Sequence, residues 1–280
     1  MEQKFDTVLK SKTSLININV KELWKYRDLI LLFVKRTFVS QYKQTVLGPA
    51  WAIIQPLFTT VIFTIVFGNL AGLSPSGVPT FVFYLAGSIL WTYFSTCLTA
   101  TSSTFVANSA ILGKVYFPRM VMPISTVMSQ FIAFAIQFFF FICFWVFFLV
   151  TGDSLHPNLW MLMTPVLLVH LAALSLGFGI IISSLTTKYR DLTMAIGFGV
   201  QLWMYASPVA YDVSIIPERF RSIYMLNPVS PIITMFRYAF LGVGELYLIE
   251  YFISAAVTIV LLFIGIIMFN RVEKTFMDTV

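Results

Sequence analysis

Charge is what this sequence has least of. Asp, Glu, Lys and Arg make up 11% of the 280 residues, less than half of the roughly 25% found in an average soluble domain. That is too little to coat a globule, and it excludes a water-soluble enzyme, a nucleic-acid-binding domain and a disordered tail. Cysteine is scarce as well: Cys97 and Cys143 both lie inside apolar runs, so neither a disulfide framework nor a metal site has the spacing it needs. The two histidines, His156 and His170, have no acid beside them, and His170 reads as a hydrogen-bonded packing residue. The phosphate-cradling motif G-x-x-x-x-G-K-[ST] is missing, because the Gly113-Lys114 pair has Asn108 where the first Gly belongs and Val115 after it. ATP hydrolysis by this chain alone is therefore not expected, nor is any metal or cofactor on it. A cleavable signal peptide is not expected either, because residues 1–28 are dotted with charge from Glu2 to Asp28 and hold no apolar core.

What is present is grease: 59% of the residues are hydrophobic, Phe alone occurs 29 times, and the mean hydropathy is +0.88. The fold class is an all-α integral membrane protein. No charged residue falls between Lys43 and Lys114, and a charge at the bilayer centre is costly, so that stretch is read as two spans. The cluster Gly68, Asn69, Gly72, Ser74, Pro75, Ser76, Gly77 and Pro79 marks the turn between them. The same reasoning predicts six spans, at about 47–70, 81–106, 121–150, 161–183, 193–211 and 250–270. Of the 18 Lys and Arg residues, all but Arg219, Arg221 and Arg237 fall in 1–45, 108–120, 184–192 and 271–280. The positive-inside rule then places both termini in the cytoplasm. The predicted organisation is a cytoplasmic tail (1–20), an interfacial helix (21–45), a transmembrane domain (46–270) and a second cytoplasmic tail (271–280).

Two segments fit neither a span nor a solvated loop. In 21–44, Leu23, Tyr26, Ile30, Val34 and Phe38 recur at helical spacing, while Lys21, Lys25, Asp28, Lys35, Arg36 and Lys43 gather elsewhere. This predicts an amphipathic helix in the cytoplasmic interface, with a soluble helix packed on another subunit as the competing reading. The connection 212–249 carries Asp212, Glu218, Arg219, Arg221 and Arg237 among apolar clusters, and Pro208, Pro217, Pro228 and Pro231 break the region into short helices. Irregular backbone at membrane depth needs cover from protein or a cavity, so a pair of short re-entrant helices is expected, or else an amphipathic surface hairpin.

The spans offer little for an ion relay, because the first three contain no Asp, Glu, Lys or Arg. Energy must reach the chain from outside. Aromatics are abundant, with Tyr84, Trp91, Tyr93 and Phe94 in the second span and Trp203 and Tyr205 in the fifth. Aromatic faces with a polar edge suit the C–H faces of sugar rings, and packing or interface anchoring explains them equally well.

The run Tyr42-Lys43-Gln44-Thr45-Val46-Leu47-Gly48-Pro49-Ala50-Trp51-Ala52-Ile53-Ile54-Gln55-Pro56 closely resembles the entry to the first span of type-2 ABC exporter permeases of the polysaccharide branch. These export O-antigen, capsule or teichoic acid. Tyr26-Arg27-Asp28-Leu29-Ile30, Lys114-Val115-Tyr116-Phe117-Pro118-Arg119, Tyr189-Arg190-Asp191 and Asn227-Pro228 extend the likeness over about 21–270.

The resemblance implies a six-span homodimer in the cytoplasmic membrane, paired with separate ATPase subunits that carry ATP and Mg. It also implies a cargo of polysaccharide on a polyprenyl diphosphate lipid, and no nucleic acid. By match, Tyr26, Arg27, Asp28, Lys114, Tyr116, Phe117, Pro118 and Arg119 would receive the ATPase's movement, and Gly48-Pro49 would be the stiff corner into span one. Lys35, Arg36 and Lys43 would lie near the lipid diphosphate, although headgroup anchoring accounts for them too. Tyr84, Trp91, Tyr93, Phe94, Trp203 and Tyr205 are candidate channel aromatics, and Pro217, Arg219, Asn227 and Pro228 a candidate outer gate. A permease for a drug or other lipid, a membrane-embedded glycosyl- or acyltransferase, and a non-transporting scaffold remain as alternatives.

Overall fold

A computed structural model describes residues 20–43, 45–73, 75, 77–108, 111, 115, 117–152, 154–189 and 191–279, without the side chains of Val20, Glu22 and 273–279. Gln44, Lys114, Tyr116, Asp153, Arg190 and the tail 1–19 lie outside the described residues. Among those described, every regular element is helical. The helices are α1 (Val20–Lys25), α2 (Arg27–Tyr42), α3 (Trp51–Phe63), α4 (Thr80–Ser102), α5 (Thr104–Ala107), α6 (Val121–Val150), α7 (Thr164–Thr186), α8 (Leu192–Tyr205), α9 (Glu218–Met225), α10 (Ser230–Leu241) and α11 (Leu248–Thr279).

Among the described residues, five helical stretches are long and apolar enough to cross a bilayer: Gly48–Leu70, Thr80–Ser102, Val121–Val150, Leu159–Thr186 and Leu248–Val272. The expected fifth span, 193–211, is shorter than read. Helix α8 covers 14 residues, about 21 Å at 1.5 Å per residue, against a hydrocarbon core of about 30 Å. The apolar letters run on through Tyr211, but Ser207-Pro208 follows the helix and Pro cannot carry it further.

Helix α4 is the hub. Buried residues make up 78% of its apolar window, against 22% in each of α3, α6 and α11. Its neighbours α3, α6, α7, α8 and α10 pack around it. Lipid offers no hydrophobic drive between helices, so close backbone approach at small residues does the joining. A Cβ on Gly177 of α7 would stand 3.2 Å from the Leu262 backbone nitrogen of α11, which is why a glycine sits there. Helix α8, by contrast, has no buried residue.

Helix α2 lies along α6 and buries Ile30, Phe33 and Val34, while Lys35, Arg36, Leu31 and Leu32 remain exposed. The predicted stripe is present at Ile30 and Val34, and Phe33 joins it. In the connection between α8 and α11, α9 is largely exposed, whereas α10 buries every residue except Tyr238. Gly242 ends α10 in the left-handed region at φ +71°, its N–H bonding the Tyr238 carbonyl.

Candidate functional site

Between α3, α4 and α8 runs an uncharged groove of about 360 Å³, in which polar side chains alternate with the apolar Trp91, Val200, Met204 and Val209. Helix α4 contributes Ser88, Thr92, Ser95, Thr96 and Thr99, α3 contributes Gln55 and Thr59, and α8 contributes Gln201. The α4 set follows i, i+4, i+7, i+8 and i+11, one helical face. The hydroxyls need no charge to survive in a span, because they bond backbone carbonyls of their own helices: Thr96 to Thr92 at 2.7 Å, Ser95 to Thr92 at 3.1 Å and Thr59 to Gln55 at 3.1 Å. Thr60 Oγ1 and Ser88 Oγ, 2.9 Å apart, pin α3 to α4 along its edge. The carboxamides of Gln55 and Gln201 are exposed. The surface is thus uncharged and mixed, offering hydroxyls and carboxamides beside apolar side chains.

The aromatic candidates are placed differently from one another. Tyr84, Tyr93 and Phe94 are buried, and Trp91 is 5% exposed at the groove wall. Trp203 meets Phe94 at 5.2 Å and Phe178 at 5.1 Å between ring centroids, and Tyr93 meets Phe134 at 5.1 Å. These rings pack helix on helix. Tyr205 is the exposed member of the set.

At the end of the bundle where α2 lies, Phe117 is buried with its ring 5.8 Å from that of Phe33, which seats the segment after α5 on α2. Phe105 stacks on Phe269 of α11 at 4.4 Å, and Thr186 Oγ1 donates to the Ser102 carbonyl at 3.0 Å. Helix α2, the α4–α6 connection and the inner ends of α7 and α11 therefore share one small core. Arg27 and Asp28 form an exposed ion pair at 3.8 Å, which contributes little to stability. Tyr26 is half-buried, and so are Pro118 and Arg119. Lys35, Arg36 and Lys43 are all exposed on α2 or at its end. Gly48 adopts φ +51° and opens a tight turn, Gly48–Ala50, with Pro49 inside it. The adjoining Val46 is 99% exposed.

The connection between α8 and α11 is tied down by two side chains. Asn227 Oδ1 accepts from Trp203 Nε1 at 3.0 Å and Val229 N at 3.2 Å, and its Nδ2 donates to Ala206 O at 3.0 Å and Ser207 Oγ at 2.9 Å. Arg237 of α10 is 2% exposed and donates to the carbonyls of Pro208 at 2.6 Å, Val209 at 2.8 Å and Tyr211 at 3.2 Å. Its guanidinium lies 3.7 Å from the Phe83 ring centroid. Pro217 caps α9, Arg219 stands 4.7 Å from the Phe220 ring, and buried Pro228 accepts from Ser254 Oγ at 2.6 Å. A cavity of about 280 Å³ bordered by Asp212, Arg221, Arg237 and Glu245 lies beside this clamp. Burial raises the nearby Tyr247 phenol above its ordinary pKa, with Arg221 opposing and Glu245 adding. His170 Nε2 is 3.0 Å from Thr258 Oγ1, a packing contact as expected.

Arg237 and the hydroxyl stripe were not singled out in the sequence. The stripe had a signal, the helical spacing of Ser88, Thr92, Ser95, Thr96 and Thr99 within a charge-free span. Arg237 had none beyond being a cation on the sparse side.

The ABC-2 type transporter family matches residues 28–241. The chain is 28% identical over 254 residues to an O-antigen export system permease protein RfbA of Klebsiella pneumoniae, covering 90% of this chain and 94% of that one. It is also 26% identical over 226 residues to a protein of the same name from Myxococcus xanthus, covering 79% and 83%.

Proposed function

The chain belongs to the ABC-2 type transporter family, and we propose that it forms the channel of an exporter carrying a polyprenyl-diphosphate-linked, O-antigen-like polysaccharide across the cytoplasmic membrane. It is a multi-pass membrane protein. The observation that carries the cargo assignment is the neutral groove of hydroxyls and carboxamides on α3, α4 and α8, together with relatives named for O-antigen export that align over nine-tenths of the chain. A polymer hundreds of atoms long must slip rather than bind, and many weak, exchangeable hydrogen bonds permit that.

The power stroke comes from a separate ATPase subunit through the inner rim, where α2 and the α4–α6 connection already share a core. A second copy of the chain completes the channel. Helix α8 fully buries none of its residues within its own protomer, and α3 exposes Trp51, Phe58 and Ile62, so both call for a partner across the groove. In that assembly α8 and the residues after it act as the sixth crossing, α10 dips back from the outer face, and both termini are cytoplasmic. The basic α2 face (Lys35, Arg36, Lys43) lies at inner-leaflet headgroup depth.

The reading is tested in cells lacking this chain. Lipid-linked polysaccharide should accumulate where an external glycosidase cannot reach it in spheroplasts, and restored expression should expose it. Polysaccharide equally exposed with and without the chain overturns the assignment.

A further inference from the structure

A furrow of about 870 Å³ runs between α6 and α7, with Tyr93 of α4 and Phe240 of α10 also in its wall. Helix α6 lines it from Val127 to Ile142 at i, i+1, i+4, i+7, i+8, i+11, i+12 and i+15, one helical face over four turns. Helix α7 and the turn before it line it from Met161 to Ala172. Phe139, Leu162 and Val169 are 71%, 79% and 69% exposed, so these walls stay open within the protomer. None of the lining residues belongs to α3 or α8, the helices that call for a second copy. The furrow's two hydroxyl-bearing side chains offer little to a visitor: Thr164 Oγ1 donates to the Met161 carbonyl at 2.6 Å, and Tyr93 is 3% exposed. A polar occupant would go unpaired, so the occupant is a hydrocarbon chain.

The bilayer has such chains everywhere, and exchanging one for another brings no hydrophobic gain. Length and shape must decide. From Val127 to Ile142 is about 22 Å at 1.5 Å per residue, and this stretch sits close to the midpoint of the 30-residue α6. At about 45 Å, that helix overhangs a hydrocarbon core of about 30 Å at both ends, so the furrow straddles the midplane. An acyl chain rooted in one leaflet ends near the midplane, after about 15 Å, and fills only part of it. The wall is also ridged. Phe131, Phe134 and Phe138 stack at 6.1 and 5.7 Å between ring centroids, and Phe138 meets Phe240 edge-on at 6.0 Å. Rings braced in this way form a stiff corrugation. Its hollows suit the evenly spaced methyl branches of an isoprenoid, whereas a smooth chain leaves them unfilled and forfeits contacts.

The furrow also lies in a row with the groove. Tyr93 and Phe134 border both the furrow and a small cavity between α2, α3, α4 and α6, while Gln55, Thr92 and Thr96 border both that cavity and the groove on α3, α4 and α8. The row is apolar at one end and hydroxyl-bearing at the other, the polarity of a lipid-linked sugar.

We propose that the furrow between α6 and α7 seats the isoprenoid tail of the cargo lipid while its saccharide end occupies the groove. The inference rests on the polysaccharide-exporter reading and adds where the lipid anchor is held.

The test uses the full complex with its ATPase subunit in nanodiscs and a polyprenyl phosphate carrying a diazirine in the middle of its tail. After irradiation, adducts mapped by mass spectrometry should concentrate on 127–142 and 161–172. Ala135 is an exposed lining residue, so Ala135→Trp fills the furrow without entering the core. Labelling there should fall about tenfold, because a chain cannot share the space with an indole. Ile259→Trp, on the exposed face of α11, is the control and should leave labelling unchanged. Unlabelled polyprenyl phosphate should compete, and hexadecyl phosphate should not. Adducts spread evenly over the exposed faces of α6, α7 and α11, or equal competition by hexadecyl phosphate, would make the occupant ordinary lipid and overturn the proposal. ATP hydrolysis stimulated by a polyprenyl-diphosphate-linked sugar is read in parallel, and Ala135→Trp should need a higher concentration of it. Stimulation with scattered adducts sinks the furrow and spares the exporter reading, whereas furrow adducts without any stimulation support the tail site and count against export.

Discussion

Replacing Arg237 by Met should loosen the outer connection more than any other single change there. The side chain is 2% exposed and holds three backbone carbonyls of the 208–211 turn at 2.6, 2.8 and 3.2 Å, with its charge 3.7 Å from the Phe83 ring. Hydrogen bonds to a charged group contribute about 1.5–3 kcal/mol each, but three made by one guanidinium are not independent. Removing one member of a buried charged arrangement typically costs about 3–5 kcal/mol, and methionine returns part of the lost apolar packing. The net expectation is a loss of about 3–4 kcal/mol, measurable as a shift of the reversible unfolding transition in mixed micelles titrated with SDS. Proteolysis within 206–229 should accelerate in parallel, because the turn that Arg237 holds begins the connection between α8 and α9. Arg237→Lys should fall between the two, since one ammonium cannot span three carbonyls in a plane. A loss under about 1 kcal/mol with unchanged proteolysis would show that the guanidinium is not the clamp, and the reasoning from buried carbonyls would fail.

Two further outcomes bear on the inner rim. Ala-Ala in place of Gly48-Pro49 puts a Cβ on a residue at φ +51°, a strain of about 1–2 kcal/mol, and frees the φ that Pro fixes. Assembly and ATP hydrolysis should persist while export per ATP in inverted vesicles falls severalfold, and equal export would refute the stiff-corner argument. Phe117→Ala removes a 5% exposed ring lying 5.8 Å from Phe33, a loss of about 3 kcal/mol. It should reduce co-purification of the ATPase subunit, and undiminished recovery would show that the α2 contact does not hold that surface in place.

The spans were legible because a bilayer punishes charge so heavily that its absence alone marks them. The helix from Val121 to Val150 begins and ends where charge-free sequence and turn residues said it would. The fifth segment was overextended because hydropathy counts Val209 and Ala210 as membrane-like, and Pro208, although legible as a breaker, was placed inside the span instead of at its end. The groove was hard to read for the opposite reason. Thr, Ser and Gln are nearly neutral on a hydropathy scale, and their meaning lies in sharing one face of α4 opposite α3 and α8, which depends on which helices become neighbours. Aromatic residues misdirect in a similar way, since counting rings in span two does not distinguish Phe94, which has no exposed surface, from Tyr205, which has much. Arg237 was visible as a letter, and its role depends on three carbonyls about 26–29 positions earlier in the chain.

The stacked rings of Phe105 and Phe269 have a mechanical corollary. They rivet the inner end of the last long helix to the segment that directly continues the hub, while glycine contacts bind that same helix along its length to α7. A displacement of the segment after the hub therefore bears directly on that terminal helix and, through their shared packing, on α7.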